Sequence, residues 1–160
     1  MDALMFQAEV KRVEKLLFRI AWSYLPQEQD AEDAVQDALI LAWEKRDTLR
    51  DPSRFRPWIS RIVARQCLNM LRKRRRYSFF PLEEDTVSFE MEEPVSPLKE
   101  AMGKLTPDLR LAVTLHYVDG YTVQQIADAL GIPVGTVQTR LHRARKHLKK
   151  SLLIEWEESL

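Results

Sequence analysis

A single cysteine, few glycines and no long apolar run limit what this 160-residue chain can be. The lone Cys67 excludes an internal disulfide and any multi-cysteine metal site, and its apolar neighbours suggest a small buried side chain. No apolar stretch approaches the roughly 20 residues that span a bilayer, and the amino terminus lacks the basic-then-apolar order of a signal peptide. We therefore expect a cytoplasmic protein without membrane insertion.

Groups suited to catalysis are also scarce. His116, His142 and His147 show no metal-ligand spacing, and the acids of the second predicted helix point around that helix without a histidine or lysine partner. The sequence thus predicts no catalytic residue, no metal site and no cofactor. A nuclease or recombinase with a DNA-binding tail is disfavoured for the same reason.

What the chain does contain is charge in blocks, although its formal net charge is only +1. Residues 26–51 hold eight acids and three bases, whereas residues 54–76 hold nine bases and no acid. Residues 132–150 carry six bases and no acid. Such blocks are often solvated faces, but two basic blocks separated by an acidic one indicate two surfaces for a polyanion.

Helical periodicity organises the first part of the chain. One helix ends at Pro26, a second is predicted to start at Asp30 with its carboxylate as cap, and a third runs from Trp58 to about Arg75. The second helix has one stripe of small residues and a further stripe of Leu39 and Trp43, which is typical of a helix deep in a bundle or facing a partner. The stripe of small residues consists of Ala31, Ala34, Val35, Ala38 and Ala42.

The second part follows a segment with three prolines and clustered acids, residues 77–97, which is typical of a linker. Thr106 and Pro107 mark a helix start, and the helical spacing of apolar residues from Leu109 predicts that Tyr117 faces the core. Thr122 opens a capping box with Gln125. Gly131 supplies the turn before a last helix. The predicted fold is all-α: two small helical domains, 1–76 and 98–155, joined by a flexible linker, the second with a helix-turn-helix.

The last helix suits DNA. Its outward front offers threonines and arginines that can reach base edges, and its rear offers bases suited to phosphates. The alternative is a solvated basic helix in a bundle. The front residues are Thr136, Thr139, Arg140 and Arg143, and the rear residues are Arg145, Lys146, Lys149 and Lys150.

Three segments resemble a known family. TVQQIADALGIPVGTVQTRLHRARKHLK resembles the fourth conserved region of bacterial sigma factors of the extracytoplasmic-function class, within the sigma-70 family. DAEDAVQDALILAWEK and FRPWISRIVARQCLNMLRKRRR resemble the second conserved region. The resemblance covers about Leu16 to Leu152 and implies a non-enzymatic factor that binds core RNA polymerase, directs it to specific promoters and stabilises melted DNA.

The resemblance implies roles for individual residues. The second helix would dock on core polymerase, although Trp43 has a core position as its alternative. In the third helix and the loop before it, Phe55 and Trp58 would offer stacking faces, Asn69 would contact a base edge, and arginines would hold phosphates; Trp58 also begins an apolar stripe. The docking residues are Asp33, Gln36, Asp37 and Trp43, and the phosphate-binding residues are Arg61, Arg65, Arg72 and Arg74.

For the minus-thirty-five element the resemblance implies a set of residues on the last helix. Gln138 departs from the family, which often carries Arg or Lys there, and an amide favours adenine over guanine. The implied set is Thr136, Gln138, Thr139, Arg140, His142, Arg143 and Lys146.

The expected partners are core RNA polymerase, promoter DNA and, from the family alone, an anti-sigma factor. The linker acids would enter the polymerase cleft, or they belong to a simple solvated tether. An autonomous helix-turn-helix regulator is the alternative function, but it leaves the first domain without a purpose. The linker acids are Glu83, Glu84, Asp85, Glu90, Glu92 and Glu93.

Overall fold

The computed structural model describes residues 1–77 and 96–158. Their regular elements are all helical, and they group into two compact units. The first unit contains three α-helices and the second contains four. The all-α, two-domain prediction is therefore confirmed. Apart from its ends, the predicted linker 77–97 lies outside the described residues, so the predicted domain limits stay predictions.

The first unit is a bundle of α1 (Ala3–Tyr24), α2 (Glu28–Glu44) and α3 (Phe55–Tyr77). Two short 3-10 turns, Arg46–Thr48 and Pro52–Arg54, connect α2 to α3. In the predicted stripe of α2 the four alanines, here called the alanine stripe, are fully buried and Val35 is half-buried. Such small side chains allow close packing of neighbouring helices. The core is completed by Phe6, Val13, Leu16, Leu17, Ile20, Ala21, Leu25, Phe55, Ile59, Val63 and Cys67.

Two helix starts in this unit differ from the prediction. Helix α2 begins at Glu28, so Asp30 is not its cap but lies in its first turn, where a carboxylate still complements the helix dipole. Helix α3 begins at Phe55 rather than Trp58. The turn before it is closed by Asp51, whose Oδ1 accepts from the Ser53 amide at 3.0 Å, and Pro57 fits the first helical turn because no hydrogen bond is required of it there.

The second unit contains α4 (Pro97–Gly103), α5 (Pro107–Val113), α6 (Val123–Leu130) and α7 (Val134–Glu158). Helix α4 was not predicted, although Ser96 caps it and Pro97 occupies its first position, which is a recognisable start signal. Arg110 joins α4 to α5. It donates to the carbonyl oxygens of Met102, Gly103 and Leu105 at 2.6–3.0 Å, and its partial burial lowers its pKa.

A π-helical turn, Thr114–Val118, extends α5 and changes its register. The extra residue in this turn buries Leu115 and leaves Tyr117 57% exposed, so the predicted core position of Tyr117 is wrong. The helix-turn-helix that follows agrees with the prediction. Thr122 and Gln125 form the reciprocal capping box at 2.9 and 3.1 Å, and Gly131 has the left-handed φ of +67° that the turn requires.

Candidate nucleic-acid interface

Three arginines of α3 lie with Trp58 and Asn69 on one outward stripe. Positions 58, 61, 65, 69 and 72 are separated by three or four residues, so they lie on one side of the helix, away from the core. Trp58 is half-buried at the start of the stripe, and the others are exposed. The face thus combines an aromatic ring, an amide and three guanidinium groups, in the order Trp58, Arg61, Arg65, Asn69 and Arg72.

Phe55 does not belong to this surface. Its ring is only 1% exposed and stands edge-to-face against Phe6, with the ring centroids 5.8 Å apart. It also contacts Trp58, at a centroid distance of 5.7 Å. The expectation that Phe55 offers a stacking face is therefore corrected: its ring supports Trp58 from within the core.

Arg74 is likewise separated from the stripe. Two positions beyond Arg72, it lies on another side of α3, and its Nη2 is 2.8 Å from the Asp30 Oδ2. Because its guanidinium is paired with a carboxylate of the first unit, we expect Arg74 to contribute less to phosphate binding than the arginines of the stripe, and its predicted role stays a prediction.

On α7, Val137, Leu141 and Ala144 form the buried side of the helix, and the residues between them lie on two outward flanks. One flank faces an open groove of about 360 Å³. Within it, the Thr139 hydroxyl donates to the Gly135 carbonyl at 2.9 Å, so this side chain presents its methyl group and its oxygen lone pairs. The groove is lined by Asp108, Gly135, Thr136, Thr139, Arg140 and Arg143.

The other flank of α7 holds Gln138 and His142, one turn apart and both exposed. Arg145 follows on the same side, and its Nη1 donates to the Tyr117 hydroxyl at 2.9 Å. Lys146 lies opposite the core. The predicted minus-thirty-five residues therefore divide into two groups, with Thr136, Thr139, Arg140 and Arg143 brought together in the groove.

Asp108 is the groove residue that sequence reasoning missed. Its Oδ2 lies 3.7 Å from the Nε of Arg140, although 31 residues separate the two in the chain. The only sequence signal at this position was the helix start at Thr106 and Pro107. That signal placed Asp108 at the beginning of α5 and gave no indication that α5 and α7 bring it beside the recognition residues.

The exposed face of α2 has a different character. Asp33, Gln36 and Asp37 are exposed, and Gln29 donates to the Asp33 carboxylate at 3.0 Å. Ile40 lies among them on this face and is 61% exposed, a feature that the sequence analysis missed. An acidic face with one exposed aliphatic side chain suits a basic protein surface rather than a nucleic acid.

Trp43 occupies an intermediate position. Its half-buried ring stands edge-to-face against Phe6, with the centroids 5.2 Å apart, and the Arg46 guanidinium carbon lies 3.9 Å from the ring centroid. Both contacts fix its orientation. Leu39 is also half-buried, in a groove that it shares with Leu17 and Phe18 of α1, so the predicted second stripe of α2 is largely used within the bundle.

Within residues 1–77 and 96–158 the structure has no cluster of histidine, cysteine and acidic side chains arranged for a metal ion. None of the helices in those ranges combines the length and the apolar character needed to cross a membrane.

Comparison with known proteins identifies the class. Residues 10–77 match the family model "Sigma-70 region 2", and residues 96–148 match "Sigma-70, region 4". The two matches coincide with the two helical units and contain the α3 stripe and the α7 groove. The fold and its two surfaces thus define a sigma-70 type factor.

Individual relatives indicate which group of sigma-70 type factors the chain resembles. The chain is 31% identical to the ECF RNA polymerase sigma-E factor of Escherichia coli, a match that covers 91% of this chain and 85% of the relative. It is 30% identical to the ECF RNA polymerase sigma factor SigE of Mycolicibacterium smegmatis, over 85% of this chain and 57% of the relative. The sigma factor RpoE of Bartonella quintana, solved in complex with the anti-sigma factor NepR, matches with a TM-score of 0.65 and 27% identity, over 93% of this chain and 97% of that one.

The chain belongs to the extracytoplasmic-function (ECF) class of RNA polymerase sigma factors. The function predicted from the sequence, a factor that directs RNA polymerase to promoters, is confirmed at this level, and an autonomous helix-turn-helix regulator is not favoured.

Proposed function

We propose that three surfaces of the protein each bind a different partner during promoter recognition. Helix α7 binds the minus-thirty-five element in the major groove, the α3 stripe holds the melted minus-ten strand, and the acidic face of α2 docks on core RNA polymerase. The observation that carries the proposal is the separation of charge: two outward basic faces lie on α3 and α7, and an acidic face with an exposed Ile40 lies on α2.

At the minus-thirty-five element, the residues of the α7 groove contact base edges. Arginine forms a bidentate pair with guanine, and the Thr139 methyl group suits the methyl group of thymine. On the second flank, Gln138 favours adenine and His142 lies beside it. Lys146 and Arg145 contact phosphates, which position the helix without selecting sequence.

At the minus-ten element, the α3 stripe holds a single strand. Trp58 presents the edge of a stacking surface that Phe55 supports from below, and Asn69 contacts a flipped base. Arg61, Arg65 and Arg72 hold the adjoining phosphates. Binding energy from these contacts offsets the few kcal/mol of unstacking, so the protein promotes melting by binding and catalyses no covalent step.

On the polymerase side, Asp33, Gln36 and Asp37 surround Ile40 on α2, and this arrangement favours a basic partner surface with an apolar pocket. Trp43 adds the exposed part of its ring at the edge of the face. The protein acts in the cytoplasm, where polymerase and chromosome meet.

The proposal extends to regulation by an anti-sigma factor. It is supported by the Bartonella relative, which was solved in complex with one. The predicted entry of the linker acids into the polymerase cleft concerns residues outside those that the structure describes.

The decisive experiment is run-off transcription with purified core polymerase on a randomised promoter library. A promoter-specific sigma factor produces transcripts enriched for two sequence elements, and removal of the protein abolishes them. A protein that binds the library but neither binds core polymerase nor supports run-off transcripts would instead be an autonomous regulator.

A further inference from the structure

The α7 groove contains an acid where a DNA-binding surface is otherwise basic. Asp108 of α5 lines the groove with Thr136, Thr139, Arg140 and Arg143. A carboxylate at this place repels the phosphates of any bound duplex, whatever its sequence. We therefore expect this carboxylate to improve recognition in another way that offsets the weaker binding to phosphates.

The carboxylate of Asp108 is held on a rigid element. It lies in the first turn of α5, where the helix dipole favours a negative charge, and its Oδ1 accepts a hydrogen bond from the Thr106 hydroxyl. The helix that carries it is anchored by the buried Leu109 and Leu111. Asp108 is thus a fixed charge rather than a mobile surface side chain.

The second oxygen of this carboxylate faces Arg140. Asp108 Oδ2 lies 3.7 Å from the Arg140 Nε, and the Arg140 side chain is only 28% exposed. This distance is that of an ion pair and is longer than a hydrogen bond, so the donors of the guanidinium remain available to another group. Terminal guanidinium nitrogens can form a bidentate pair with the O6 and N7 of guanine.

We propose that Asp108 is a specificity-determining residue that positions Arg140 for one base pair of the minus-thirty-five element. By attracting the Nε side of the guanidinium, it keeps the flexible arginine from turning to a neighbouring phosphate, and so converts a general cation into a group that discriminates between bases. It lowers the affinity for all DNA while raising the preference for one base. This inference rests on the proposed function, in which α7 contacts promoter bases.

A purely structural role for the pair has little physical support. Partly exposed ion pairs contribute little to stability, and the Asp108 side chain is 46% exposed. Thr106, not Asp108, is the residue before the first helical position of α5, so Asp108 is not the cap of that helix.

The test uses holoenzyme assembled from core polymerase and the full-length protein. A promoter obtained with the wild-type protein is varied at every minus-thirty-five position, and closed-complex occupancy of each variant is measured by sequencing bound and free DNA. Asp108→Asn is expected to reduce the preference at one position by about fivefold or more, the range for losing a good arginine–guanine pair. Its affinity for non-promoter duplex is expected to rise, because the charge that repels the phosphates is removed.

Two further variants locate the effect. Arg140→Ala is expected to remove the preference at that same position, and adding Asp108→Asn to it should change the preference no further. Thr106→Val, which frees the carboxylate but retains its charge, is expected to cause a smaller reduction at the same position.

Asp128→Asn is the matched control. Asp128 lies on α6 of the same unit, accepts from Gln124 at 3.0 Å and does not line the groove, so losing this charge should leave every base preference unchanged. The inference is overturned if Asp108→Asn keeps the wild-type preference, or weakens all positions equally, while Arg140→Ala removes one. If Arg140→Ala alters no preference, the proposed base contact of Arg140 fails, and with it the role of Asp108.

Discussion

The guanidinium of Arg74 lies 2.8 Å from the carboxylate of Asp30, and this pair joins the end of the basic helix α3 to the first turn of α2. Arg72, two residues earlier, is exposed on the outward stripe. Two arginines of one basic block therefore have different surroundings, which makes them a matched pair for testing the minus-ten surface.

Arg72→Ala is expected to weaken binding of holoenzyme to fork DNA with a single-stranded minus-ten strand, and to reduce the salt dependence of binding by about one phosphate contact. Arg74→Ala should leave both quantities close to wild type, because Arg74 is paired with Asp30. Fluorescence anisotropy over a range of salt concentrations measures both. Equal losses in the two variants would contradict the division of this basic block.

Asp37→Arg is expected to abolish binding to core polymerase, since it reverses a charge on the acidic face of α2 and like charges at an interface cost several kcal/mol. Affinity pull-down with core enzyme measures the loss, and circular dichroism checks the fold. Asp47→Arg, with the same charge change in the short turn after α2, is the control and should bind normally. Normal binding by the Asp37 variant would refute the docking face.

Asn69→Ala is expected to slow formation of the open complex while closed-complex binding stays near wild type, because Asn69 is proposed to hold a base only after it flips. Permanganate footprinting reports the melted thymines, and filter binding reports the closed complex. Gln66→Ala, an amide variant on the more buried side of α3, is the control. An unchanged melting rate would exclude Asn69 from the base contact.

Arg143→Ala is expected to weaken promoter binding by about 1–3 kcal/mol if Arg143 contacts a base, and to relax preference at its own position. Arg145→Ala provides the comparison, since Arg145 lies on the other flank and is bound to the Tyr117 hydroxyl. It should weaken all sequences to a similar extent. Competition binding against the minus-thirty-five variants separates the two patterns, and a uniform effect in both would remove Arg143 from the recognition surface.

The buried thiol of Cys67 makes the folded protein less stable at alkaline pH. Burial raises the pKa of Cys67 from 9.0 to about 12. The unfolded chain therefore loses this proton above pH 9 while the folded chain keeps it, so stability falls as the pH rises from about 9 toward 12. Between pH 8 and pH 10 the wild type should lose about 1 kcal/mol more than Cys67→Ala in urea unfolding. Equal losses would show that the thiol titrates alike in both states.

Much of the fold followed from local patterns. The alanine stripe of α2 predicted its buried face, and the capping box of Thr122 and Gln125 predicted the start of α6, because both signals depend on residues within a few positions of each other. Cys67 was placed in the core by its apolar neighbours, and it is fully buried. Helix α4 was missed despite the Ser96 and Pro97 signal, which lay beside an acidic segment read as linker.

The sites were less predictable than the helices. Resemblance to a family implied which helices contact DNA and polymerase, and those roles stay predictions. It also assigned Phe55 to the surface, although an aromatic residue at the start of a basic helix is equally suited to the core. The packing against Phe6 decides between the two. Tyr117 was misplaced because a π turn adds a residue without any clear sequence mark.

By itself the sequence determined most of the helices, the helix-turn-helix and the blocks of charge, since periodicity, capping and composition act over a few residues. Only the tertiary structure decided which charged side chains are paired within the fold and which remain available to a partner. Packing of α2 against α3 places Asp30 on Arg74, and packing of α5 against α7 places Asp108 beside Arg140. These pairs join residues 44 and 32 positions apart in numbering, and contacts over such distances depend on how helices pack rather than on any local pattern.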